Sequence, residues 1–173
     1  MSSRVAYQGP VLRVCIEDVE LPDGRSLELE MIRHPGASAI VPFEANGDVL
    51  LIRQFRHAVG GTIWEVPAGK LDGDTPEVCA RRELEEEAGR RAGRLVSLGN
   101  ILTTPGFTDE VIHLFAAYDL EEVPTRRERD EFIEVVRTPL PKALELVWKG
   151  ELRDAKSAMA LIHAARHEGV RVP

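Results

Sequence analysis

Three glutamates, Glu83, Glu86 and Glu87, fall in one short stretch that reads as a helix. At about 100° per residue, Glu83 and Glu87 share a face, and Glu86, three positions from Glu83, lies beside them. Ala80, Leu84 and Ala88 recur every fourth residue and make a narrow apolar stripe to one side. The helix can therefore bury that edge and still aim three carboxylates at one small volume. Like charges at this spacing destabilise a helix by about a few tenths of a kcal/mol per pair, so something has to offset them. A hard divalent cation does: magnesium takes oxygen ligands, typically one or two carboxylates together with phosphate oxygens and water. The plain alternative is a solvated acidic face. Against it stand Arg82 directly before the first carboxylate, a glycine-bearing loop before the helix, and Gly89 behind it.

The elements that must position this cluster can be read around it. Thr75-Pro76 can cap and open the helix, with proline at the first helical position, where its missing N–H costs little. Gly89 can close it as a left-handed cap. Upstream, Val11 to Ile16 and Leu27 to Met31 read as strands flanking the turn residues Pro22-Asp23-Gly24. Ala39 to Phe43 and Val49 to Arg53 read as a second hairpin through Asn46-Gly47-Asp48. Trp64-Glu65-Val66 is a short strand before Pro67. Later strands are expected at Leu95 to Leu98, Val111 to Tyr118 and Phe132 to Val136, and helices at Pro141 to Trp148 and Ala155 to His167. The charged run Glu121 to Glu131 reads as an exposed loop. Strands alternating with helices predict an α/β or α+β sandwich.

Composition bounds the function. The 173 residues suit one domain with a real core, and 43% apolar with 29% charged residues is an ordinary globular balance. A net charge of -7 disfavours nucleic acid as a partner. The arginine pairs Arg81-Arg82, Arg90-Arg91 and Arg126-Arg127 each sit among glutamates and read as solvated mixed-charge surface. Cys15 and Cys79 fit no metal knuckle or redox pair and read as reduced thiols. The start, MSSRVAYQGP, has no signal pattern, and no apolar run is long enough to span a membrane. A soluble, cytoplasmic protein is expected.

The segment Gly69 to Gly89, GKLDGDTPEVCARRELEEEAG, resembles the Nudix box. Arg82, Glu83, Leu84, Glu86, Glu87 and Gly89 match in order and spacing, and Asp74 stands where the box has its first glutamate. Two departures stand out. The loop from Gly69 to Asp74 is one residue short, which bears on where the backbone near Ala68 lies, and Arg90 occupies a usually apolar position. The resemblance implies a Nudix-type α/β/α sandwich with a mixed sheet and an N-terminal antiparallel strand segment. It also implies Glu83 and Glu87 as magnesium ligands, Glu86 as a ligand or water-orienting partner, the Ala68 carbonyl completing the site, and Arg82 positioning the glutamates. Manganese is a possible substitute for magnesium. Two or three ions sharing these glutamates would neutralise a diphosphate, lower the pKa of a bound water and align nucleophile with leaving group.

The flanks Ile52-Arg53-Gln54-Phe55-Arg56, Trp64 to Leu71, Thr104 to Glu110 and Asp154-Ala155-Lys156 resemble the ADP-ribose pyrophosphatase branch, so the similarity covers nearly the whole chain. Hydrolysis of ADP-ribose to AMP and ribose 5-phosphate is the leading expectation. Cleavage of other nucleotide sugars or dinucleotides (GDP-mannose, FAD, NADH) is the second, and a non-catalytic ADP-ribose-sensing module is the third. Arg53 and Arg56 can pair with phosphates or be surface arginines on a strand end. Glu65 either accepts from ribose or base or pairs with an arginine. Phe107 lines the pocket or packs its loop, and Glu110 lies near the metals or on the surface. The branch uses a late glutamate to assist the water. Among Glu128, Asp130, Glu131 and Glu134, Glu131 is chosen as the residue ending the charged loop. The five histidines show no ligand spacing; His57 adjoins Arg56. The branch is a homodimer, so residues 1–37 are expected to dimerise and 38–173 to form the hydrolase domain, with an intramolecular sheet extension as the alternative.

Overall fold

The computed structural model describes residues 2–10, 12–127 and 131–171. Three antiparallel strands come first: β1 (Ser3–Gln8), β2 (Arg13–Glu20) and β3 (Ser26–Arg33) form a sheet of their own in the order β1-β2-β3. Gly24, in the β2–β3 turn, has φ 81°, the positive value glycine reaches without steric cost. Strands β4 (Ala37–Pro42), β7 (Ala68–Lys70), β8 (Arg90–Leu102) and β9 (Val111–Glu122) form a mixed sheet ordered β7-β4-β9-β8, with β4 and β9 parallel. Strands β5 (Asp48–Arg56), β6 (Gly61–Glu65) and β10 (Ile133–Pro139) form an antiparallel sheet ordered β10-β5-β6.

The helices cover both faces of the mixed sheet, and the strand period of two shows how. Ala39 and Val41 of β4 join Leu114 and Ala116 of β9 in a core closed by Leu144 of α2 (Leu140–Trp148) and Leu161 of α3 (Ala155–His167). Ile40, Phe115 and Ala117 point the other way, onto Ala80, Leu84 and Ala88 of α1 (Pro76–Ala88). A strand buried on both faces has no polar alternation, and β4 is buried at every position. The result is the expected α/β/α sandwich with a mixed sheet.

Several expectations are corrected. Ala39 to Phe43 and Val49 to Arg53 do not pair as a full hairpin: β4 and β5 lie in different sheets, and the ladder between these segments stops at a single Phe43–Val49 bridge. The turn itself is real, with Gly47 at φ 87° and its N–H donating to the Glu44 carbonyl at 2.9 Å. Beyond it, β4 gives its two edges to β9 and β7, while β5 pairs with β10 and β6. Strand β8 runs well past Leu95 to Leu98 at both ends; its two glycines hide it, and Gly99 at φ 100° marks a bulge against β9. Strands β1 and β7 were not foreseen. The charged run begins inside β9, and Arg127 is half-buried, donating to the carbonyls of Glu87 and Ile133.

Candidate active site

Helix α1 forms as its ends dictate. The Thr75 hydroxyl accepts from the Val78 N–H at 3.4 Å, Pro76 opens the first turn, and Gly89 closes it at φ 63°. With Ala80 and Leu84 fully buried, the helix cannot rotate, and Glu83 and Glu87 are held at 7% and 2% exposure beside β7. The Ala68 N–H donates to Glu87 Oε2 at 2.9 Å. Gly69 is required by close approach: a Cβ there would stand 1.9 Å from Glu83 Oε1.

Arg82 does more than form a surface pair with Glu86. Its guanidinium donates to Glu83 Oε1 at 2.6 Å, Glu86 Oε2 at 3.1 Å, Asp74 Oδ2 at 3.2 Å and the Lys70 carbonyl at 3.0 Å. One planar fork thus ties the glycine loop to two of the three glutamates. The loop is a residue short, yet it still delivers Asp74 to Arg82. It does so through consecutive left-handed residues, Asp72 at φ 47° and Gly73 at φ 96°, closed by the Asp74 N–H on the Leu71 carbonyl at 2.8 Å. Asp-Gly is the dipeptide that tolerates such a turn. Arg90, the other departure, pairs with Glu44 at 3.4 Å.

These carboxylates sit in an unfavourable field. Burial pushes the Glu87 carboxyl up to about 8; the Ala68 N–H opposes this, and Glu83 and Glu131 add to it. Burial also raises Glu83, partly countered by Arg82. Such groups resist ionising until a cation arrives, and the donors (three carboxylates and backbone) are the oxygens a hard divalent ion takes. The described residues hold no ready-made ligand cluster, since Glu83 and Glu86 lean on Arg82 instead. A cation would draw them off the guanidinium. The carboxylates, two of them buried and mutually repelling, and the glycine cradle nonetheless suit a hard divalent ion in chemistry.

A cleft of about 930 Å³ opens beside α1, bordered by Ala68, Gly69, Arg82, Glu83, Glu86, Glu87 and Glu131. Arg56, Gln54, Asp154 and Lys156 border a second stretch, and Ile101, Leu102, Ile112 and Met159 an apolar part. Glu110 also borders it, accepting from the Thr103 hydroxyl at 2.8 Å, with His34 Nδ1 3.4 Å away. Glu65 is 1% exposed and forms no part of the lining; it takes a bidentate pair from Arg56 at 2.7 and 2.8 Å. Its expected pairing with an arginine is the one that forms.

Arg53 and Phe107 are not brought to the cleft. Arg53 and Arg56 differ by an odd number on one strand, so they face opposite sides. Arg53 lies 5.2 Å over the Trp64 ring, 3.8 Å from its cross-strand neighbour Glu134. Glu134 is thereby turned from the cleft as well. Phe107 is 48% exposed, its carbonyl accepting from the Ile32 N–H. His57 is exposed in a 3-10 turn, and Glu128 and Asp130 lie outside the described residues. Sequence reasoning gave no site role to Gln54, Lys156 or His34, although Gln54 and Lys156 stand in the flanking motifs that carry the resemblance. The same parity argument applied to β5 would have found Gln54.

Fold, acidic helix and glycine cradle together define a Nudix protein. Residues 32–161 match the NUDIX domain, and the chain belongs to that family. It is 41% identical over 168 residues to an ADP-ribose pyrophosphatase of Bacillus subtilis (strain 168), covering 95% of this chain and 91% of the relative. It is 37% identical to a GDP-mannose pyrophosphatase of Cronobacter sakazakii, covering 88% and 86%. A solved structure described as an ADP compounds hydrolase superposes with TM-score 0.85 over 98% of this chain and 94% of that one; at 23% identity it attests the fold.

Proposed function

We propose that the protein is a pyrophosphohydrolase that cleaves ADP-ribose to AMP and ribose 5-phosphate with the help of magnesium, or manganese in its place. The observation that carries this reading is the meeting, in one cleft, of the buried acidic face of α1 with the cationic Arg56. The near full-length similarity to an ADP-ribose pyrophosphatase supports the choice of substrate.

Glu83, Glu87 and the Ala68 backbone would hold the cation, and Glu86 would share it or orient water. When bound, the cation neutralises phosphate oxygens and lowers the pKa of an attacking water. Arg82 fixes the spacing of Glu83 and Glu86 before any ion binds. Glu131, on the cleft wall and close enough to influence Glu87 and Glu83, is the proposed base that takes the water's proton. Arg56 offers its unused donors to a phosphate, Glu65 orients it, and Glu110 is the proposed acceptor for a sugar hydroxyl. Arg53 and Phe107 are not part of this site.

We further infer a homodimer built through residues 1–37, with 38–173 as the hydrolase domain. In support, the N-terminal sheet exposes Val5, Tyr7, Leu27 and Leu29, a dispersed apolar surface that a second copy can cover. A cytoplasmic location is in keeping with two unbridged cysteines and with the absence, among the described residues, of a helix long and apolar enough to cross a membrane.

The GDP-mannose pyrophosphatase relative favours a second reading, hydrolysis of that nucleotide sugar. Purified protein with magnesium is offered ADP-ribose, GDP-mannose, FAD and NADH, and products are identified by mass. Release of AMP and ribose 5-phosphate as the preferred reaction is expected. Preferred release of GMP from GDP-mannose selects the second reading, and no turnover of any of the four sinks both.

A further inference from the structure

We propose that Arg127 is a positioning residue for the hydrolysis: by binding the end of α1 and the start of β10 at once, it sets the distance between the cation ligand Glu87 and the base Glu131. The inference rests on the reading of Glu131 as the base and deepens it.

After β9 the chain runs along the end of α1. The Val123 N–H donates to the Gly89 carbonyl at 3.0 Å, and the Arg126 N–H to the Glu86 carbonyl at 3.1 Å. Helix α1 stops at Ala88, so the Glu87 carbonyl has no helical N–H four residues on. Arg127 supplies the missing donors, Nε at 3.1 Å and Nη2 at 2.9 Å. The start of β10 has the same need. This strand is at the edge of its sheet, and carbonyls along an antiparallel strand point alternately toward the neighbour and away. The Phe132 carbonyl accepts from the Phe55 N–H at 3.3 Å, so the next one, that of Ile133, faces away from β5. Arg127 Nη1 donates to it at 2.6 Å.

Capping accounts for half of this. The helix dipole favours any cation at the end of α1, and a lysine would serve as well. What capping does not require is that the same guanidinium reach a strand of the other sheet: α1 packs on the mixed sheet, whereas β10 pairs with β5. Those two elements carry the two halves of the chemistry. Glu87 lies in the last turn of α1, Glu131 stands two residues ahead of Ile133, and both border the cleft. Farther along β10, Val135 packs against the apolar stripe of α1. At the end nearest Glu131, the polar bridge through Arg127 joins the helix to the strand. The planar fork has donors on two edges and so can hold two carbonyls at a fixed separation. A displacement of about 1 Å at a reacting group can cost about 100-fold in rate, which is the scale on which such a spacer acts.

The test is the kinetics of ADP-ribose hydrolysis with magnesium, in variants whose circular dichroism matches wild type at the assay temperature. Arg127→Ala is expected to lower kcat by about 10- to 100-fold, with KM and the half-saturating magnesium concentration changed by less than about threefold, as a displaced base would do. Arg127→Lys keeps a charge at the end of α1 but cannot span both carbonyls, so it should resist urea about as well as wild type and still show the loss in kcat. The deciding measurement is a double-variant cycle. In a Glu131→Gln background, Arg127→Ala should change kcat by less than about threefold, because the base it positions is already gone. If Arg127→Ala does not fold, Arg127→Lys takes its place in the cycle. Equal losses in the two backgrounds overturn the inference, as does full kcat in Arg127→Lys or a loss confined to KM or to magnesium half-saturation. A slow Glu131→Gln with such equal losses leaves the base assigned and fails only the positioning role. A Glu131→Gln of near-normal rate fails the assignment of the base, and a wild type that does not hydrolyse ADP-ribose fails the functional reading; either takes the inference with it.

Discussion

Replacing Glu87 by Gln keeps the side chain's shape and its bond from the Ala68 N–H but removes the charge. The consequence for stability follows from the carboxyl's folded-state value of about 8 against an ordinary 4.5. A group whose folded value is raised gives stability that is fully present below the ordinary value and is lost as pH rises through the folded one. In metal-free wild type, Glu87 must therefore cost stability progressively between pH 4.5 and about 8. Each unit corresponds to about 1.4 kcal/mol, so from pH 5 to 7.5 the loss is at most about 3 kcal/mol. Urea denaturation in EDTA should find Glu87→Gln and wild type alike near pH 5 and the variant more stable by about 1–3 kcal/mol at pH 7.5. Magnesium should stabilise wild type more at pH 7.5 than at pH 5 and leave the variant nearly unaffected, because a ligand that binds only the folded state adds stability in proportion to its affinity. Hydrolysis by the variant should fall by several kcal/mol of transition-state stabilisation. An unchanged stability difference between the two proteins across this pH range would refute the argument, since it would mean that the buried carboxylate carries no ionisation penalty for a cation to relieve.

Gly69→Ala places a Cβ 1.9 Å from Glu83 Oε1, so the carboxylate must move, and activity should drop by about 100-fold or more in a protein whose circular dichroism is unchanged. Arg82→Lys cannot serve Asp74, Glu83, Glu86 and the Lys70 carbonyl at once; urea denaturation should register a loss of about 1–2 kcal/mol, and equal stability would remove the fork from the account. Glu131→Gln should lower kcat by about 10²–10⁴ with KM little changed; a near-normal kcat would assign the base elsewhere.

What could be read locally was read well. Helix α1 is announced by Thr75, Pro76 and Gly89, and its apolar stripe packs where the period places it. Helix α3 has the expected bounds, Ala155–His167. Caps and period-3.6 stripes act within a turn or two of chain, so neighbouring residues suffice to specify them. Strand partners are a different matter. Nothing in Ala39 to Arg53 tells a hairpin from two strands that part after a shared turn, because the edges of β4 are filled by β9 and β7, segments remote from it or too short to show a pattern.

The site divides along the same line. The sequence by itself determined the acidic face, since Glu83, Glu86 and Glu87 follow from helical spacing alone, and it named Arg82 and Asp74 as their companions. Tertiary structure decided which charges meet them. It turned Arg53 and Glu134 onto the far side of β5 and β10, tied the half-buried Arg127 to the end of α1, and brought Lys156 to Glu65 across 91 positions of chain. The physical reason is range: helix geometry relates side chains a few residues apart, whereas a buried carboxylate is satisfied by whichever cations the packed sheets and helices carry to it.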